Sequence, residues 1–132
     1  MLIRVSPFPS IEAAREHAKT EIDRAAEEAR LRHITPGSGQ AMEYQRALKD
    51  AEAFLAGAIE YSEFLQADVD AGRAANQEEA AQLVLDTAAQ WVAAGAQIRR
   101  IRLSAKAAVD NAQAIAEVLS IMRTAIEDLK TI

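Results

Sequence analysis

Three features of these 132 residues predict an all-α protein made of long helices: 30 of them are alanine, only 5 are glycine and 3 proline, and apolar side chains recur at three- and four-residue steps. Alanine enters a helix without losing side-chain freedom, so a chain this rich in it is biased towards helix everywhere that glycine and proline are absent. Apolar types make up 50% of the sequence, yet alanine is nearly half of them. The expected core is therefore thin, with helices packed close together. The expected architecture is an elongated bundle of four or five helices over residues 10–132, including one coiled-coil-like long helix, preceded by a short extended arm over residues 1–9.

Composition also removes several classes of function. There is no cysteine, hence no disulfide framework and no thiolate metal site. A net charge of −5, without a cluster of Lys and Arg at either end, argues against nucleic acid, whose binding depends on neutralising phosphates. No apolar run approaches the ~18 residues needed to cross a bilayer. The opening Met1-Leu2-Ile3-Arg4 is too briefly apolar for a signal-peptide core, so synthesis and retention in the cytoplasm, or in an assembly built there, are expected.

In the arm, Leu2, Ile3 and Val5 favour extended backbone, and Pro7 and Pro9 push the residues before them out of the helical region. Phe8 lies between the two prolines. Such an arm either covers its own helices or adds to the edge of a partner's sheet. Ser10 is a suitable N-cap for a first helix reaching about Arg32, with Ile11, Ala14, Ala18, Ile22, Ala25 and Ala29 on its inward face. Its other face carries Arg15, Lys19, Glu27, Glu28 and Arg30 as a solvated surface with local ion pairs.

Thr35-Pro36-Gly37-Ser38-Gly39 is the strongest break, and Pro36, Gly37 and Gly39 are expected to form a turn that reverses the chain. A second helix is expected from about Gln40 to Ala56, with Ala41, Tyr44, Leu48, Ala51 and Leu55 along one face. Gly57 should end it. A short helix follows, closed by Gly72, in which Tyr61, Phe64, Leu65 and Val69 join Phe54 as a small core of their own. Asn76, with Glu79 three residues on, predicts a capping box whose carboxylate returns to the cap amide.

From there Ala80, Val84, Thr87, Trp91, Ala94, Ile98, Ile101, Ala105, Ala108 and Ala112 alternate steps of four and three. That regularity predicts a coiled-coil-like seam on a rod of roughly 50 Å. The pattern should pause near Asp110-Asn111, whose side chains compete for backbone amides, before a last helix with Ile115, Leu119, Met122, Ile126 and Leu129 inward.

Residues able to carry chemistry are sparse. His17 and His33 have no neighbours at ligand spacing, so no metal or cofactor is expected. His33 is placed to cap the first helix, and His17 to pair with Glu21. The carboxylates are scattered over separate polar faces, an arrangement that does not drive two pKa values apart for acid–base work. Pro36-Gly37-Ser38-Gly39 lacks the Lys and hydroxyl that close a phosphate-binding loop. Arg99, Arg100, Arg102 and Lys106 flank the seam and call for an acidic neighbour helix.

One stretch resembles a known group. Residues 32–45, Arg-His-Ile-Thr-Pro-Gly-Ser-Gly-Gln-Ala-Met-Glu-Tyr-Gln, followed by Ala51-Glu52-Ala53-Phe54-Leu55, a Tyr-centred short helix over 61–72 and a long helix containing Trp91, look like a helical segment of bacteriophage tail proteins. The similarity runs over roughly residues 13–118 and extends to the helical region of phage tail-fibre assembly proteins. It differs from that pattern in having only about ten residues, not a larger domain, ahead of the helices. The resemblance implies a non-enzymatic component of the virion, made in the host cytoplasm, that binds phage tail or tail-fibre proteins and self-associates as a homo-oligomer, without nucleic acid or membrane. It transfers no catalytic residue. The expected partner-binding residues are Leu2, Ile3, Val5 and Phe8 in the arm and Trp91, Ile98, Arg99 and Arg102 along the long helix. An assembly chaperone that leaves the finished particle is the first alternative, and a small ligand-binding bundle the second.

Overall fold

The computed structural model describes residues 7–34 and 38–132, and among these it contains five helices and no strand: α1 (Ile11–Leu31), α2 (Ser38–Leu55), α3 (Glu63–Asp70), α4 (Gln77–Asn111) and α5 (Ile115–Lys130). The protein is all-α. Helix ends follow local chemistry. The Ser10 hydroxyl accepts from the Ala13 amide at 3.1 Å to open α1, and Ser62 does the same for Leu65 at 3.2 Å to open α3. Gly57 and Gly72, each at φ +77°, close α2 and α3 in the left-handed conformation that glycine adopts without strain.

Asn76 caps α4 through the Glu79 amide at 2.9 Å. The Glu79 carboxylate, however, accepts from the Ala75 amide, one residue ahead of the cap amide expected for it. The pause near Asp110 is present, since α4 stops at Asn111 and α5 begins at Ile115. α2 starts at Ser38, two residues before the expected position, so Gly39 lies inside the helix. The other turn residues, Pro36 and Gly37, fall outside the described residues, as do Leu2, Ile3 and Val5 of the arm.

The chain falls into two compact units. One combines the chain up to His33 with Ala94–Ile132, and the other is Ile34–Ala93, so α4 contributes its two halves to different units. In the first unit, Ala14, Ala18 and Ile22 of α1 are buried with Ala105 and Val109 of α4, Ala112 just after it, and Val118 and Ala125 of α5. Further along, Ala25, Ala26 and Ala29 are buried with Ile98 and Leu129. The order of these pairings makes α1 antiparallel to this half of α4 and parallel to α5. Ten of the thirteen buried side chains in the two clusters are no larger than valine, which lets the helix backbones approach closely.

All five small or branched residues from Ala14 to Ala29 expected inside α1 are buried. In α5 the buried line is Val118, Ala125 and Leu129, displaced from the expected stripe, whose Ile115, Leu119, Met122 and Ile126 are half-buried flanks. The displacement arises because α1 lies against one edge of a broad apolar face. Phe8 packs on the same core, and its ring lies 5.1 Å from that of His17. His17 therefore stacks beside Phe8, while Glu21, its expected partner, pairs with Arg24 at 3.1 Å.

The second unit has a smaller core of Ala51, Leu65, Ala80 and Ala81, flanked by Phe54, Val69, Val84 and Leu85. Here the aromatic cluster divides. Leu65 is fully buried, but Tyr61 is 57% exposed and Phe64 also reaches solvent. The α2 stripe is likewise only half realised: Ala51 is buried and Leu48 half-buried, whereas Ala41, Tyr44 and Leu55 are exposed. Along the expected seam, Ala80, Ile98, Ala105 and, just past the end of α4, Ala112 are buried, Val84, Trp91, Ala94, Ile101 and Ala108 are half-buried, and Thr87 is exposed. What looked like one continuous seam serves the cores of two units in turn.

Candidate functional site

Charged groups on α1 and α4 first show where chemistry is already committed within the chain. Asp23 accepts from Arg102 Nε at 2.8 Å and from Lys106 Nζ at 3.0 Å. Partial burial pushes the Asp23 carboxyl up, but hydrogen bonds from Lys106 and Arg102, reinforced by their charges, outweigh it and hold the pKa below the ordinary carboxylate value. Asp110 is also held low, chiefly by the hydrogen bond from Lys19 at 2.8 Å. The acidic neighbour expected for the basic cluster of α4 is thus Asp23 of the same chain.

The last turn of α4 is closed from α1 as well. Arg15 donates through Nε to the Val109 carbonyl at 3.3 Å and through NH2 to the Ala112 carbonyl at 2.7 Å. At the other end of α1, the carbonyls of Ala29 and Arg30 are met by the backbone amides of Arg32 and His33, and the Arg32 guanidinium turns to the Leu129 carbonyl. That backbone pairing fills the place foreseen for a His33 cap.

A polar network organises the second unit. Ser62 Oγ donates to Asp50 Oδ2 at 2.8 Å, and the other carboxylate oxygen accepts from Arg46 Nε at 3.1 Å. The Ser62 amide donates to Gln77 Oε1 at 2.9 Å, whose amide group donates to Gln66 Oε1 at 3.0 Å. The network ties α2, α3 and the start of α4 together. Among the described residues no buried side-chain polar atom lacks a partner, and no group of three or more His, Cys, Asp or Glu could hold a metal ion. No described helix is long and apolar enough to cross a membrane.

What remains available is surface. Every residue from Gln40 to Arg46 is exposed, with Met42 at 71% and Tyr44 at 39%. An open groove of about 370 Å³ runs beside them, lined by Glu43, Tyr44 and Ala47 of α2, Phe64 and Asp68 of α3, and Leu83, Val84 and Thr87 of α4. The first unit carries a second open groove, of about 480 Å³, between α4 and α5. Its walls are Arg100, Ile101, Ser104 and Ala105 on one side and Ser120, Ile121, Thr124, Ala125 and Asp128 on the other.

The residues expected to bind partners are placed unevenly relative to this surface. Ile98 is buried between Ala25, Ala26, Ala29 and Leu129, and Arg102 is held by Asp23, so the contacts of both are made within the chain. Phe8 is half-buried on its own core, Trp91 is half-buried, and Arg99 is exposed. Sequence alone places Arg15 on a solvated face, whereas it closes the end of α4, and sequence gives no role to Asp23, Asp50, Ser62 or the hydroxyl-lined wall of the α4–α5 groove. Only the Ser62 cap carries a local signal, in the Ser-Glu pair that opens α3.

The fold and surface define a helical protein whose open features are grooves and exposed apolar side chains, without a convergent set of reactive groups among the described residues. No protein-family model, curated protein or solved structure matches the chain.

Proposed function

We propose that this chain is a non-enzymatic helical adaptor of a bacteriophage tail or tail-fibre complex, made in the host cytoplasm and carried in the virion. The observation that carries the reading is the state of Met42 and Tyr44. Both belong to the stretch resembling phage tail proteins, and both are exposed on the opening turns of α2. Two helical turns with every side chain exposed gain little from packing, the main source of helix stability in proteins. A protein surface laid on the groove beside α2 would cover Tyr44 and Phe64 together, and Met42, on another side of the helix, offers a separate apolar contact. Apolar and aromatic side chains of this kind supply most of the energy of protein interfaces.

Mass spectrometry of purified virions tests the role: the chain should be present at a fixed ratio to the tail proteins. Co-expression with the structural genes flanking its own should yield a complex with a tail or tail-fibre protein. The double variant Met42→Asp, Tyr44→Asp should lose that complex while keeping its helical circular dichroism. A complex formed in the lysate but missing from virions would make the chain an assembly chaperone. Absence of both complex and virion copies would end the tail reading.

A further inference from the structure

We infer that the α4–α5 groove of the first unit is a self-association surface, in which a second copy of this chain lies face to face and completes a four-helix bundle. No residue of α1 lines this groove, so it is open after the core of the unit has been built. Its charges are arranged for a copy of itself. Arg100 stands on the α4 wall and Asp128 on the α5 wall, about equally far along the two helices from the turn at residues 112–114. Among the described residues, neither side chain makes an ion pair within the chain.

A two-fold axis parallel to the helices places α4 of one copy over α5 of the other without changing the level along the groove. Arg100 of each copy then faces Asp128 of its mate, giving two symmetric ion pairs from one pair of residues. The other face-to-face two-fold, perpendicular to the helices, lays α4 on α4 and leaves both charges unmatched. Electrostatics therefore select a single arrangement in which all neighbouring helices are antiparallel.

The walls suit that packing. Ser104, Ser120 and Thr124 are short enough for helices to approach closely over Ile101 and Ile121. Once removed from water, their hydroxyls can donate to carbonyls one turn back on their own helices. The footprint is set by the 16 residues of α5. A pair of helices about 24 Å long and about 20 Å wide corresponds to about 1,000 Å² buried over both copies, the lower end for specific association. A reversible dimer is expected, formed at micromolar concentrations. This inference concerns the first unit and stands or falls separately from the tail role.

Sedimentation equilibrium from about 1 μM to about 300 μM should show a monomer–dimer equilibrium. Arg100→Asp and Asp128→Arg should each weaken it by about tenfold or more, because each substitution turns two attractions into two repulsions. The double variant carrying both substitutions should restore the dimer, and an equimolar mixture of the two single variants should form a heterodimer. Both positions are on the surface, and unchanged circular dichroism would verify that the variants fold. A monomer at every concentration overturns the inference and leaves the groove to a helix of a different protein. A dimer insensitive to the single substitutions, or not rescued by the double one, overturns it equally by placing self-association on another face.

Discussion

The guanidinium of Arg15 on α1 donates to the carbonyl of Ala112 just beyond the end of α4, at 2.7 Å, across 97 positions of sequence. Its Nε also reaches the Val109 carbonyl. The last carbonyls of a helix have no intrahelical partners, and here a side chain from another helix supplies them. Arg15→Ala should destabilise the protein by about 1–3 kcal/mol in urea denaturation, the range for hydrogen bonds from a charged group. Arg15→Lys should recover only part, because an ammonium lacks the fork that spans two carbonyls.

Asp23 joins α1 to the basic flank of α4, and its acidity gives the protein a pH signature. A carboxyl whose folded pKa lies below its unfolded value contributes stability that is complete above the unfolded pKa, near 3.9, and is lost as pH falls through the folded one. Asp110 acts in the same direction. Because the Asp23 side chain is 43% exposed, solvent screening limits its contribution to under about 1 kcal/mol. Asp23→Asn should flatten the fall in stability between about pH 5 and about pH 2, measured by urea midpoints across that range, and have a small effect at neutral pH.

Ser62 has two duties, capping α3 and satisfying a nearly buried Asp50. Ser62→Ala should cost about 2–3 kcal/mol, combining a lost cap with a carboxylate oxygen left short of a donor. Trp91, the single tryptophan, lies in the same unit, so its fluorescence reports that transition directly. An unfolding midpoint unchanged by the substitution would remove the network from the account of how α2, α3 and α4 are held together.

Ala18 is fully buried between α1 and its neighbours. Ala18→Leu adds apolar surface and keeps helix propensity, yet it should destabilise by about 1–3 kcal/mol or more, because closely spaced backbones leave no room for the added atoms. Thermal unfolding followed by circular dichroism checks this. A gain in stability would mean that the alanine-lined interface is loose.

The contrast between Ala18 and Met42 shows how far the sequence could be read. Along α1, steps of three and four identified the buried residues, because one face of that helix meets two partners over its full length. The same periodicity on α2 marked Ala41 and Tyr44 as inward, and they are exposed, because periodicity identifies the apolar side of a helix and not whether another element covers it. Tyr61 and Phe64 were expected in the core and are exposed, while Leu65, next to Phe64, is fully buried as expected.

Helix content, the caps at Ser10 and Asn76, the stops at Gly57 and Gly72 and the interruption after Asn111 were all present in the order of residues, since each depends on backbone chemistry within a few positions. The division of α4 between two cores, the meeting of Asp23 with Arg102 and Lys106, and the open groove bearing Arg100 and Asp128 were decided by tertiary structure alone. Those features join side chains from separate helices, and they depend on which faces come together and at what height, a choice made by the packing of the whole chain and by no short stretch of it.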